Sequence, residues 1–367
     1  MSAITAAERA EIRVMARELA RRELIPGATG LDRGEEAVLA GCWGHLVEAG
    51  FDRALLSERN GGVELDVLDL LAAIEELAVG DGGVAMCVLL CNAALATLTD
   101  EQLADVPWGA RWALVPAAPE LELTVSGGAL DGRLECALGA HGAHGLVFLL
   151  DGPEPVTLAV DAGAAGLRLE RDLAQMGLRA APAASIELAG VACADGPGGS
   201  EGSTNGSNGS GGAMSAASAR ALLRAGTAAI AHGIARRAYE MALEYAHARR
   251  QGGVAIIEHD AVSDMLSAMA VRLACWPAVA VDPTGLAVEE AHPEGDTQRA
   301  HGRQALAVKI AATDAAVAST TDAVQVFGGT GYMVETGIEK LMRDAKYCQL
   351  FPECNWVAHD ELMRARY

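Results

Sequence analysis

The chain has 367 residues, 28 basic against 49 acidic for a formal charge of -21, and 51% of them are apolar. A single core rarely grows past about 250–300 residues, so this length asks for two or three domains, and the apolar share excludes global disorder. The acidity argues against a nucleic-acid partner and against an anionic membrane surface, and leaves an anionic small ligand only where a local basic patch receives it.

The first hundred residues have the period of helices. Ile12, Met15, Ala16 and Leu19 recur at helical spacing within 6–24, and Pro26 is expected to stop that helix. A second helix is expected over 35–49, ended by Gly50, and a third over 65–79 after the turn of Asn60, Gly61 and Gly62. Beyond the break at 80–83, the strongly apolar stretch 84–98 reads as a buried helix. From Trp112 the texture changes to short apolar runs (121–125, 146–150, 156–160, 185–188) punctuated by Gly, Pro and Asp, the signature of strands and turns. A Gly/Ser/Asn-rich stretch over 195–213 cannot bury enough surface to offset its ordering entropy and reads as a flexible linker. Helices are expected again over 219–249, 260–275 and 298–326, with a break between 277 and 296, and from Arg343 onward with an interruption at Pro352.

Helices, then strands, then helices make an α+β protein rather than an alternating one. The expected domains are an N-terminal helical domain (1–111), a middle β domain (112–194), the linker (195–217) and a C-terminal helical bundle (218–367). The eight cysteines form no CxxC pair and read as reduced core residues. No apolar run reaches the ~18 residues that span a bilayer, and no signal peptide opens the chain, so a cytoplasmic protein is expected. GxGxxG after a strand, a P-loop, HExxH and GxSxG are all absent, and the histidines show no metal-ligand spacing, so no metal is expected.

Two segments carry a more specific signal. One runs from Tyr245 through Arg249, Gln251 and Gly252. The other runs from Gln325 through Phe327, Gly328, Gly329 and Tyr332 into Arg343, Asp344, Ala345 and Lys346. Together they resemble the YAxxRxQFG and QxFGGxGY…RDAK signatures of the acyl-CoA dehydrogenase flavoproteins. The run Met176, Gly177, Leu178, Arg179 is similar to the family's segment before its last strand. Ser57 to Gly62, followed by Glu75, Glu76, Leu77 and Ala78, is similar to its PEEYGG…EELA stretch.

The resemblance implies an N-terminal helical domain, a middle β domain and a C-terminal four-helix bundle. It implies FAD as cofactor and a homodimer or homotetramer whose flavin sites are shared between subunits. Arg249 and Gln251 would then contact the partner's FAD, while Gln325, Gly328 and Gly329 cradle its ADP moiety. The residue types suit that task, since a guanidinium pairs with pyrophosphate and glycines let backbone N–H groups approach it. Arg224 falls at the family's arginine beside the acyl thioester. The substrate would be an acyl-CoA or an acyl-carrier-protein thioester, polarised by hydrogen bonds to its carbonyl. Electrons would pass to an electron-transferring flavoprotein or a similar acceptor.

The sequence also departs from the family. The usual glutamate, nine residues after the arginine of RDAK, is Pro352 here, and Glu353 follows it. The alternative site early in the long helix is Leu223. Glu353 is therefore the candidate base, and it would need an apolar pocket, with Phe351 and Trp356 nearby, to hold a proton at neutral pH. The LTEPxxGSD stretch is reduced to Ala113–Pro119, and the WIT segment falls on Cys136, Ala137 and Leu138. Three readings follow: a dehydrogenase with shifted regiochemistry, such as γ,δ-desaturation of a short enoyl thioester for secondary-metabolite building blocks; an ordinary α,β-dehydrogenase; or a silent subunit completing an active partner's flavin site. A flavoprotein oxidase or repair-type relative is a further alternative.

Overall fold

The computed structural model describes residues 6–116, 123–126, 128–150, 156–171, 174–192, 194–195, 214–279 and 295–364. The expected linker 195–217 and the break between 277 and 296 lie mostly outside the described residues.

Helix α1 (Ala6–Leu19) leads through one π turn (Ala20–Leu24) into α2 (Ile25–Asp32). Pro26 therefore does not stop the helix. It occupies the first turn of α2, where the N–H that proline lacks is not needed. Next come α3 (Glu36–Glu48), α4 (Val67–Gly80), α5 (Gly82–Leu95) and α6 (Asp100–Ala104). A single residue, Asp81, separates α4 from α5, and its carboxylate caps α5 by accepting the Val84 amide at 2.9 Å. Every residue of α5 is buried, which explains its lack of an apolar stripe.

The β region holds β1 (Trp112–Pro116), β2 (Thr124–Ser126), β3 (Ala129–Ala137), β4 (Gly145–Leu150), β5 (Val156–Asp161), β6 (Leu167–Arg171), β7 (Ala184–Ala192) and β8 (Ala194–Asp195). They form two sheets, ordered β1-β4-β5-β8 and β2-β3-β7-β6, antiparallel throughout except for the parallel pair β1/β4. Strand β4 shows why one of these runs is uninterruptedly apolar. Its Leu146 and Phe148 enter the core between the sheets, with Leu130 and Ile186, while Val147 and Leu149 join the core shared with the helices.

The C-terminal part begins with α7 (Ala216–Ala248), capped by Ser215, then the short hairpin β9 (Arg250–Gln251) and β10 (Val254–Ala255). It continues with α8 (Asp260–Val279), α9 (Gly295–Phe327), α10 (Ile338–Cys348) and α11 (Asn355–Arg364). At 33 residues each, α7 and α9 are about 50 Å rods that pack along one another. Gly233 lets α4 approach α7, since a Cβ there would stand 2.4 Å from the Glu75 carbonyl oxygen. The buried carboxylates of α4 tie the N-terminal helices to this bundle: Glu76 pairs with Arg17 of α1 and Arg236 of α7, and Glu75 pairs with Arg236 and accepts the Trp276 indole N–H. The fold is the expected α+β arrangement of helices, β sheets and a helical bundle. Among the described residues no helix is long and apolar enough to cross a membrane, and no cluster of His, Cys, Asp and Glu is set to hold a metal.

Candidate active site

The two signature segments meet at the end of α7. The Tyr245 ring stacks on Phe327 with centroids 4.2 Å apart, and its hydroxyl lies 3.3 Å from Thr330 Oγ1. One turn after Tyr245, Arg249 ends the helix in extended conformation and opens the β9–β10 hairpin. Its side chain is exposed and forms no ion pair among the described residues, and Gln251 is exposed beside it. Gln325 is exposed on α9, and the following turn presents Gly328 and Gly329 with nothing within 4 Å of where a Cβ would stand. A free guanidinium, a free amide and a bare glycine turn fit a pyrophosphate-bearing ligand in charge and in access.

The candidate base lies at the other end of the bundle, in the loop between α10 and α11. Sequence reasoning expected Glu353 in an apolar pocket with Phe351 and Trp356. The structure corrects this: Phe351 is buried in the core, Trp356 is 83% exposed, and the Glu353 carboxylate is paired with Arg224 of α7. Arg224 Nε is shared between the two oxygens, at 3.2 Å to Oε1 and 3.3 Å to Oε2. Arg224 is only 4% exposed, and its Nη2 donates to Glu361 Oε2 of α11 at 2.6 Å. It is thus engaged by two protein carboxylates rather than held free for substrate.

Two participants were missed by sequence reasoning, Glu361 and Lys309. The Lys309 ammonium, fully buried on α9, donates to the Glu353 carbonyl at 2.6 Å, to Asn355 Oδ1 at 2.7 Å and to the Gln349 carbonyl at 3.3 Å. Asn355 in turn donates to Thr313 and Asp314 on the same face of α9. The backbone of Glu353 is therefore fastened from α9, while its carboxylate is held from α7. Burial brings the Lys309 ammonium down to about 8, against the pull of the nearby Glu353, Cys348 and Cys354. A signal for Lys309 was present: the chain has only three lysines among its 28 basic residues, and this one interrupts an apolar run.

The remaining motifs form a brace between the β region and the bundle. Arg343 grips Asp32 with two parallel bonds (3.0 and 2.7 Å) and donates to the Met176 carbonyl at 2.7 Å. Lys340 bridges Asp344 and Asp81, and although burial opposes its charge the two carboxylates raise it well above the usual lysine range. At the position of the family's WIT segment, Cys136 of β3 faces the Tyr347 hydroxyl of α10 at 3.4 Å. In the counterpart of LTEPxxGSD, residues 112–116 form β1, and 117–119 lie outside the described residues. A separate cleft of about 170 Å³ opens between α2, α7 and residues 334–341 and shares no residue with the Glu353 group.

Two family models match: the acyl-CoA dehydrogenase N-terminal domain over residues 6–104 and the acyl-CoA dehydrogenase C-terminal domain over residues 211–352. An acyl-CoA dehydrogenase of Bacillus subtilis (strain 168) is 38% identical over 134 residues, 36% of this chain and 33% of that protein. The match thus spans about a third of the length of the curated relative. Among solved structures, the butyryl-CoA dehydrogenase of Megasphaera elsdenii superposes with a TM-score of 0.80 at 21% identity, covering 100% of both chains. The prolyl acyl carrier protein oxidase AnaB superposes with a TM-score of 0.75 at 19% identity, covering 98% of this chain and 99% of that one. At these identities the structural likeness is one of fold.

Proposed function

The chain belongs to the acyl-CoA dehydrogenase family, and from that premise we propose that it is an FAD-dependent dehydrogenase of an acyl thioester carried by CoA or by an acyl-carrier protein. The observation that carries the flavin reading is the Tyr245–Phe327 stack, which sets the segment beginning at Arg249 beside the bare turn of Gly328 and Gly329. Arg249 and Gln251 would pair with the pyrophosphate of a flavin shared with a second copy of the chain, and the backbone of Gly328 and Gly329, with Gln325, would receive its ADP moiety. The flavin supplies the hydride acceptor. An electron-transferring flavoprotein or a similar acceptor takes the electrons onward.

Glu353 is the proton acceptor in this reading. Arg224 supplies its counter-charge, and Lys309 fixes its backbone, so that its displacement by one position relative to the family glutamate becomes a fixed displacement in space. A base so displaced addresses a more distant C–H bond. In an α,β-unsaturated thioester the γ protons are acidified through the conjugated carbonyl, and their removal with hydride loss from the δ carbon gives γ,δ-unsaturation. The product suits a building block of secondary metabolism. The fold shared with a carrier-protein oxidase supports a carrier-bound thioester beside a CoA ester.

The test is the visible absorption of the purified protein under anaerobic conditions, before and after short saturated and then enoyl thioesters. Bleaching by the enoyl thioester alone is the expected result. Bleaching by the saturated thioester assigns ordinary α,β-dehydrogenation, and a colourless protein assigns the chain to a half-site subunit of an active partner. Glu353→Gln should abolish bleaching while flavin stays bound; unchanged turnover would remove Glu353 from the base role.

A further inference from the structure

Arg224 serves two carboxylates unequally. A guanidinium grips a carboxylate hardest with two parallel N–H bonds, one to each oxygen. Here Nη2 is committed to Glu361 at 2.6 Å, and Glu353 receives the single Nε–H, split between its oxygens at 3.2 and 3.3 Å. The charged groups around Glu353 come from three helices: Arg224 of α7, Lys309 of α9, bonded to the Glu353 carbonyl, and Glu361 of α11. Cys348 and Cys354 lie near the Lys309 ammonium, and Asp314 joins the same network by accepting from Asn355 and Gln349. Glu361 is the outermost member, with its side chain 49% exposed, whereas the Arg224 side chain is 5% exposed.

Resting on the reading of Glu353 as base, we propose that Glu361 is a positioning residue that withholds Arg224 Nη2 from Glu353 and so keeps Glu353 a stronger proton acceptor. Two effects of its removal act in the same direction. Nη2 becomes free to complete a two-bond grip on Glu353, and a neighbouring negative charge disappears. Each favours the ionised form of Glu353.

The experiment is a carboxyl ¹³C titration of the purified, flavin-bearing protein labelled at glutamate, with the Glu353 resonance identified by its loss in Glu353→Gln. In Glu361→Ala the Glu353 resonance should titrate at lower pH, its acid dissociation constant rising about tenfold. Glu361→Asp, which restores the charge, should return it toward the wild-type position. A role confined to holding α11 in place would lower the melting temperature and leave the titration where it was, and that outcome, or a shift to higher pH, overturns the proposal. Should Glu361→Ala fail to fold, Glu361→Gln keeps an acceptor for Nη2 and must still shift the resonance in the same direction by a smaller factor. The titration needs no turnover, so Glu361 and the base assignment can fail separately.

Discussion

Asp344 accepts the backbone N–H of Leu178 at 2.6 Å, across 166 positions of sequence. Leu178 is fully buried with φ +51, a backbone conformation that a branched side chain adopts only when its surroundings impose it. The adjacent Gly177 leaves no room for a side chain, since a Cβ would stand 2.3 Å from the Arg343 carbonyl oxygen. These contacts lock the segment before β7 onto α10, so the sheets and the bundle share one rigid joint.

Asp344→Asn should destabilise the protein by roughly 1–3 kcal/mol, because the buried Lys340 ammonium loses one of its two carboxylate acceptors and keeps Asp81. Equilibrium urea unfolding checks this. A loss below about 1 kcal/mol would show that Asp81 alone suffices.

Acid should unfold the protein through the Glu75–Glu76 cluster. Burial pushes both carboxyls up, but His232 and Arg236 around Glu75, and Arg17 and Arg236 around Glu76, bring both below the usual carboxylate range. A carboxyl depressed in the folded state contributes stability that is present above its unfolded value of about 4.3 and is lost as pH falls through the folded value. Glu76→Gln should therefore lower stability at neutral pH by a few kcal/mol and flatten its decline below about pH 5. Denaturant melts at neutral and acid pH compare the slopes, and equal slopes in variant and wild type would contradict the assignment.

Lys309 adds a second rise of stability with pH, on the alkaline side. Its folded value of about 8 lies below the ordinary 10.5, so between these values the unfolded chain binds more protons and stability rises with pH. The rise should amount to about 3 kcal/mol in the wild type and vanish in Lys309→Met. The comparison is the wild-type minus variant stability at pH near 7.5 and near 10. A constant difference across that interval would place the proton elsewhere.

Arg249→Ala should reduce flavin content without disturbing the fold, since the side chain is exposed and surface changes usually shift stability by no more than about 0.5 kcal/mol. The flavin-to-protein absorbance ratio after purification measures it, with the melting temperature as the control. Full flavin occupancy would remove Arg249 from the binding site.

Much of this was legible in the sequence because the signals were local. The helical spacing of α1, the glycine breaks after α3 and α4 and the apolar run of β4 each depend on neighbours in the chain. Pro26 was misread because a proline in the first turn of a new helix carries the same local mark as a stop. Strand β3 escaped notice because its exposed residues, among them Arg133 and Glu135, interrupt the apolar alternation, and β6 because its five residues alternate without one fully buried position. The signature segments around Arg249 and Gly328 were readable as motifs. The partners of Glu353 were not, since Arg224 stands 129 positions away from it and 137 from Glu361. Such contacts are set by how three helices pack, and only the scarcity of lysine hinted at Lys309.

The Glu76–Arg236 pair also bears on synthesis. Its members are 160 residues apart, so at roughly 5–20 residues per second the ribosome takes about 8–30 s to deliver the arginine after the glutamate. Until then the surface of α4 that will carry Glu75 and Glu76 inward has no counter-charge from α7 and no reason to leave water. The N-terminal helices are thus made first yet cannot be completed before α7 emerges, and a nascent chain halted before residue 236 should be a substrate for chaperones rather than a folded intermediate.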